Sequence, residues 1–121
     1  MTIREIKAIN RRIDDLCAKV VRLRSEMNNV APLLTGMPGG GGDTDAIGKK
    51  VAAIVDAENS IKELINFRNC ELGRLSRDVF EENCIYLFLV KQLTWRRIAT
   101  EITGRPDTAD SIRMRCKDYK W

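Results

Sequence analysis

The side chains of this sequence that are best suited to recognise a ligand lie near its C-terminal end. Residues 91–121 hold eight basic and four acidic side chains, whereas residues 1–90 hold thirteen of each, so this stretch carries the whole net charge of +4. Clustered basic charge favours a polyanion as the partner. Charge alone does not identify nucleic acid, because a solvated basic surface has the same composition.

Residues with the chemistry of catalysis or metal binding are much harder to find. The sequence has no histidine, and its carboxylates lie singly on amphipathic patterns beside basic neighbours. The four cysteines, Cys17, Cys70, Cys84 and Cys116, show neither CxxC pairing nor the spacing of a zinc site. We therefore expect no enzymatic activity, no metal and no cofactor, and interpret all four cysteines as reduced packing residues.

Helix signals surround the basic residues. Thr94 is expected to cap a helix that continues to Thr103, and Gly104 is expected to end it. Asp107 or Thr108 then caps a final helix. Four residues of that helix recur at helical spacing and are expected to face the core: Ala109, Ile112, Cys116 and Tyr119.

The apolar residues before this pair of helices are expected to supply the rest of a small core. The segment 84–90 fits a buried strand or a helix, and helix is favoured because the sequence offers no partner strand. We interpret Trp95 as a core residue in preference to a base-stacking platform. Trp121 either frays or packs against Phe88 or Tyr86.

A helix, a tight turn with glycine and a second helix form the plan of a helix-turn-helix module, whose last helix enters the major groove of DNA. Its outward face would read base edges. The base-reading candidates are Asp110, Ser111, Arg113, Met114 and Lys117. The candidates for phosphate contacts are Arg96, Arg97, Arg105, Thr108, Arg115 and Lys120. An internal salt bridge is the alternative for Arg115, which lies beside the inward-facing residues.

The N-terminal part of the sequence shows the seam of a coiled coil. Apolar residues alternate spacings of three and four, which predicts one helix of about 25 residues with a single stripe for burial. We assign self-association to this seam, which consists of Ile6, Ile9, Ile13, Leu16, Val20, Leu23, Met27 and Val30.

A proline and a run of glycines interrupt the helical pattern. Pro32 and the segment 37–42 predict a glycine-rich loop at 32–43. A second helix follows from residue 44 to about 78, with Glu58 and Arg68 on its otherwise apolar seam. The sequence thus predicts an all-α fold. Residues 1–78 form an antiparallel coiled-coil helical hairpin, and residues 79–121 form a small three-helix helix-turn-helix domain.

Two sequence blocks resemble helix-turn-helix regions similar to region 4 of bacterial sigma factors. Residues 93–102, LTWRRIATEI, resemble the L-[ST]-W-x-x-I-A-x-x-[IL] segment, and residues 108–115, TADSIRMR, resemble the recognition helix that follows it. Gln92 departs from the pattern, because related modules often have glycine at this position.

The order of coiled-coil helix, glycine run, second helix and helix-turn-helix resembles small phage proteins of the RinA/ArpU type. That resemblance implies a sequence-specific DNA-binding regulator of late phage genes that acts on double-stranded DNA in the cytoplasm of a bacterial host cell. It also implies contact with host RNA polymerase or a sigma factor. We expect a homodimer or higher homo-oligomer and no membrane association, since the charged N-terminal residues do not form a secretory signal.

Two alternatives fit the same sequence features. One is the small subunit of a phage packaging terminase, which also combines a helix-turn-helix with coiled-coil oligomerisation. The other is a protein-interaction module that binds RNA polymerase or a sigma factor and has little affinity for DNA. Asp107, Asp110 and Asp118 favour this second alternative, because acidic groups near the last helix weaken its attraction for phosphate.

Overall fold

The structure is a computed structural model that describes the backbone of residues 1–34 and 41–121 and the side chains of residues 1–27 and 46–121. Over these residues the chain is all-helical, as predicted, and has no strand. The helices are α1 (Ile3–Leu34), α2 (Gly41–Gly73), α3 (Phe80–Leu89), α4 (Trp95–Thr103) and α5 (Ala109–Lys117), with a 3₁₀ turn at Pro106–Thr108. No helix in the described ranges combines the length and apolarity needed to cross a membrane.

Two compact units divide the chain at positions inside α1 and α2. One unit, here called the C-terminal unit, combines Met1–Ile9 with Phe67–Trp121, and the other, the helix-pair unit, is Asn10–Asn66. The sequence predicts a single division after residue 78, so that each domain is one continuous stretch of the chain. The N-terminal turns of α1 belong with the C-terminal residues because Ile3 packs into their core.

The helix-pair unit is held by apolar residues of α1 and α2. Its buried cluster consists of Leu16, Val20, Leu23, Ile54 and Ala57, with Met27, Ala53, Ile61 and Leu64 packed against it. Arg24 forms an ion pair with Glu58, and Glu26 Oε2 lies 3.6 Å from Lys50 Nζ. The predicted seam residue Glu58 is therefore half-buried and paired with an arginine.

The long helices differ from the predictions at their ends. The predicted stop at Pro32 is wrong, since α1 continues to Leu34; a proline in the last turn removes only one backbone donor. The predicted start at residue 44 is also wrong, because α2 begins at Gly41. Of the predicted loop at 32–43, residues 35–40 lie outside the described residues, as does the side chain of Val30.

The C-terminal end of α2 was predicted about five residues too late. The helix ends at Gly73, and Arg74 and Leu75 donate backbone hydrogen bonds of 3.2 and 3.3 Å to Glu71 and Leu72 in a closing turn. Glycine has a low helix propensity, which favours an end here. Leu75, predicted on the helical seam, is buried in the core of the C-terminal unit instead.

The C-terminal unit packs α3, α4 and α5 together around a small core. Cys84 and Ile85 of α3, Ile98 and Ala99 of α4, and Cys116 of α5 are completely buried. The helical interpretation of residues 84–90 is confirmed for residues 84–89, which lie in α3. Each of the three helices therefore buries apolar side chains against the other two.

The four cysteines separate into two classes, and the interpretation of all of them as packing residues is wrong for two. Cys84 and Cys116 are buried free thiols, whereas Cys17 and Cys70 are exposed. The hydrogen bond with the Cys84 thiol, together with burial, raises the pKa of Cys116 well above its ordinary value. Burial shields both thiols from reagents, and because thiols react as thiolates, the raised pKa protects Cys116 further.

Labelling with a maleimide tests this division. In the native protein the exposed Cys70 should react quickly, and Cys84 and Cys116 should react only after denaturant unfolds the C-terminal unit. Mass spectrometry of the native and unfolded protein counts the labels. Rapid native labelling of Cys84 or Cys116 would show that this core is open.

The turn between α3 and α4 contains a non-glycine residue in the left-handed region. Gln92 has a φ of 56°, and within the described residues it is alone among non-glycine residues in having a positive φ. A β-carbon is unfavourable in this conformation. Glycine, which has no β-carbon, therefore fits the backbone better than glutamine at this position.

We predict that Gln92→Gly raises the free energy of unfolding by about 1 kcal/mol, because it removes the steric cost of the left-handed conformation. Denaturant titration followed by circular dichroism measures the change. Gln92→Ala serves as the control, since it keeps the β-carbon and should give no such gain. Equal stabilities of the two variants would refute the assignment of a steric cost to this residue.

Candidate nucleic-acid interface

Local signals position α4 and the turn after it. Thr94 Oγ1 accepts a hydrogen bond of 3.2 Å from the backbone N–H of Arg97, which confirms the predicted N-cap. Gly104 ends the helix with a φ of 74°, and its N–H donates to the Thr100 carbonyl at 3.0 Å. Trp95 stacks on Phe88 with ring centroids 4.3 Å apart, as expected of a core residue.

The turn into α5 is built differently from the prediction. Thr108 precedes the helix but makes no side-chain capping bond, so the expected cap at Asp107 or Thr108 is wrong. The hydroxyl of Thr108 donates to the Arg105 carbonyl at 2.8 Å and lies 2.9 Å from the hydroxyl of Thr103. Thr108, predicted as a phosphate contact, thus uses its side chain to close the 3₁₀ turn.

The four residues that the sequence predicts to face the core from the last helix do so in the structure. Ile112 and Cys116 are buried, and Ala109 and Tyr119 are half-buried against the same core. The base-reading candidates Asp110, Ser111, Arg113, Met114 and Lys117 are all exposed. The fold therefore presents these five side chains together on the outer surface of one short helix.

Two of the exposed basic residues have acidic neighbours on their own helices. Arg113 Nε lies 3.8 Å from Asp110 Oδ1, and Arg97 Nε lies 3.3 Å from Glu101 Oε1. Exposed pairs of this kind contribute little to stability, typically about 0 to 1 kcal/mol. A phosphate or a guanine edge can therefore replace either carboxylate at small cost.

Arg115 has a structural role that the sequence left open. Its Nη2 atom lies 2.8 Å from Glu81 Oε1, and its guanidinium stacks over the Phe80 ring at 4.6 Å. The internal salt bridge considered for Arg115 is thus present. By contrast, Arg96, Arg105, Lys117 and Lys120 are exposed and make no ion pair within the part of the chain that the structure describes.

Two acidic residues at the start of α3 hold α5 in place, and sequence reasoning did not find them. Glu82 Oε2 accepts a hydrogen bond of 2.9 Å from the Tyr119 hydroxyl, while its Oε1 accepts one of 3.2 Å from the Ser76 backbone. Glu81 binds Arg115. Both residues lie in the first turn of α3. Acidic residues are common there because they interact favourably with the helix dipole, so their position does not indicate a distant partner.

The end of the sequence is held by α2 and by the start of the sequence. Trp121 Nε1 donates a hydrogen bond of 2.9 Å to the Glu71 carbonyl. The backbones of Met1 and Trp121 exchange two further hydrogen bonds of 2.8 and 2.9 Å. The Trp121 side chain therefore packs against the core of the C-terminal unit, and its indole N–H donates to a carbonyl of α2.

The predicted seam of α1 is covered within the chain. Ile6, Ile13, Leu16, Val20 and Leu23 are buried. Ile9 and Met27 are half-buried. These residues therefore serve the interior of a single copy.

Comparisons with known proteins do not identify a family: no family model, curated protein or solved structure matches the chain. Among the described residues, no three cysteine, aspartate or glutamate side chains gather as a metal-binding group.

The Tyr119–Glu82 contact can be tested by titration. The hydrogen bond to Glu82 and burial raise the pKa of Tyr119 above its ordinary value. Because the folded pKa is raised, the contact stabilises the fold below the pKa of the unfolded tyrosine, and this contribution is lost as pH rises through the folded pKa.

In a Tyr86→Phe background, Tyr119 is the remaining tyrosine and its ionisation can be followed by ultraviolet absorbance. Glu82→Gln should lower its pKa, while Glu63→Gln on the exposed surface of α2 should not. An unchanged titration in Glu82→Gln would contradict the contact.

Proposed function

We propose that this protein binds double-stranded DNA through α5 and regulates transcription. The observation that carries the proposal is the outer surface of α5, where Arg113, Met114 and Lys117 are exposed on a helix whose other side is fixed in the core. Arginine and lysine donate hydrogen bonds to guanine in the major groove, and the Met114 side chain suits a thymine methyl group.

The arrangement of α4 and α5 supports a helix-turn-helix architecture. A capped helix, a left-handed glycine and a 3₁₀ turn connect the two elements, and α3 packs against both. In this proposal α3, α4 and α5 form the three-helix domain, and α5 is its recognition helix. Arg96, Arg97, Arg105 and Lys120 supply contacts to phosphate, and Arg115 leaves that set because it binds Glu81.

The helix-pair unit supports the proposed antiparallel hairpin. Arg24 pairs with Glu58 and Glu26 pairs with Lys50, so a later residue of α1 meets an earlier residue of α2. In this proposal the hairpin carries self-association, and the protein binds DNA as a homodimer or higher homo-oligomer. Dimers of helix-turn-helix proteins bind two half-sites about one helical turn of DNA apart.

The biological setting follows from the resemblance to phage proteins of the RinA/ArpU type. We propose a phage-encoded regulator of late genes that acts in the cytoplasm of a bacterial host, with RNA polymerase or a sigma factor as a further partner. The sigma-like blocks lie in the turn before α4, in α4 itself, and in α5 with the residue before it, which are the elements assigned to DNA.

Selection of bound fragments from random duplex DNA at near-physiological salt tests the proposal. Enrichment of a repeated half-site, with affinity that falls steeply as salt rises, is the expected result. Absence of DNA binding even at low salt would contradict it. That outcome would favour a module that binds polymerase or a sigma factor, an alternative that the 94% exposed side chain of Asp110 beside Arg113 supports.

Arg113→Ala separates base reading from phosphate binding. On the selected site it should weaken binding by about 1 to 3 kcal/mol, because a side chain that contacts guanine is lost. Arg97→Ala is the matched control: it removes an exposed, ion-paired arginine, and it should weaken binding to selected and random duplexes alike. Fluorescence anisotropy measures both. Equal affinity of Arg113→Ala and the parent for the selected site would remove Arg113 from the reading set.

A further inference from the structure

We propose that a second copy of this chain packs against one flank of the helix-pair unit, on a surface formed by Cys17 and Val21 of α1 and Val51 and Val55 of α2. We call this surface the valine flank. The inference deepens the self-association contained in the proposed function, since it names the surface that the second copy contacts. It replaces the predicted seam of α1, since five residues of that seam are buried within one copy.

The three valines of this flank are exposed although their side chains are apolar. Val21 is 68% exposed, Val51 43% and Val55 48%, and together they are half of the six large apolar residues exposed in the described part of the chain. Single exposed apolar residues are ordinary, whereas several on one surface mark a contact site. The three valines therefore indicate a contact site only if they lie on one surface.

Helical spacing and one ion pair place them on the same side. On α1, Cys17, Val21 and Arg24 are separated by four and three residues, so they form one stripe. On α2, Val51, Val55 and Glu58 form a second stripe with the same spacing. Because Arg24 pairs with Glu58, the two stripes lie on the same flank of the helix pair.

The charges of the two flanks point to a second copy as the occupant. On the valine flank, Arg24 and Glu58 neutralise each other, and the exposed Asp14 and Lys62, which continue the two stripes, carry one charge of each sign. The opposite flank, to which Glu26 belongs, carries exposed charges at Lys19, Arg22, Lys49, Asp56 and Glu63 and none of the exposed valines. A strongly charged partner would find no net charge to complement on the valine flank, whereas an identical flank has the same valines and the same balanced charges. Such a contact is isologous, as in most homodimers.

The thin core of the helix-pair unit supplies the physical reason for association. Its buried cluster contains five residues, one of which is the small Ala57. Two helices alone bury one stripe each, and a bundle of four helices encloses a core from all sides. Packing of valine flank against valine flank brings four helices together and removes the exposed valines from water.

The mass of the full-length protein in solution, measured without DNA by light scattering, tests the proposal. The parent should have about twice its chain mass of 13.8 kDa. Val21→Glu and Val55→Glu should each weaken dimerisation at least tenfold, because each buries a carboxylate in the contact. Lys19→Glu, on the opposite flank of α1, is the control and should leave the dimer intact.

Circular dichroism establishes that each variant keeps its helical content, and Val21→Ser and Val55→Ser provide milder substitutions that should weaken association several-fold. A parent with the mass of one chain would overturn the proposal. So would a dimer that persists in both glutamate variants, or one that Lys19→Glu weakens as much as Val21→Glu. The mass is measured without DNA, so a dimer that binds no DNA would overturn the proposed function alone.

Discussion

The position of α5 depends on its attachment to α3. A helix of nine residues is too short to be stable alone in water, so packing must fix it. Ile112 and Cys116 bury the inner side of α5 in the core, and the two carboxylates that begin α3 hold Arg115 and Tyr119 near its C-terminal end. These contacts leave Arg113 and Met114 exposed on the outer surface of α5, where a ligand can reach them.

This attachment also determines which basic residues are available for recognition. An arginine bound to a carboxylate and stacked on a ring contributes to the fold, and Arg115 does both. Arg96, Arg105, Lys117 and Lys120 remain exposed without an ion pair in the described ranges, so their charge is directed to solvent. The basic surplus of the last residues is thus smaller on the surface than in the sequence, but it is concentrated around α4 and α5.

Features that depend on neighbouring residues could be predicted from the sequence, and features that depend on distant ones could not. The Thr94 cap, the Gly104 stop and the inward side of α5 follow from local rules and are confirmed. The roles of Glu81 and Glu82 depend on residues more than thirty positions away. For the same reason, the packing of Ile3 into the C-terminal core had no local signal.

The departures at single residues have the same physical origin. Thr108 has the chemistry of an N-cap, but the hydroxyl of Thr103 and the carbonyl of Arg105 engage it first. Gln92 occupies a left-handed position in the connection between α3 and α4, although its β-carbon makes that conformation unfavourable. Cys17 and Cys70 fit helical positions as small apolar residues do, yet exposure depends on which side of a helix meets a neighbour.

Nuclear magnetic resonance of the isotope-labelled protein, titrated with a short DNA duplex at low salt, tests the central claim most directly. The account predicts that amide and side-chain signals of Asp110, Arg113, Met114 and Lys117 shift first and most, with smaller shifts at Arg96 and Arg105. Signals of the buried Cys84 and Ile85 should remain in place. An unchanged spectrum, or shifts confined to residues 10–66, would contradict the assignment of α5 as the DNA-binding element.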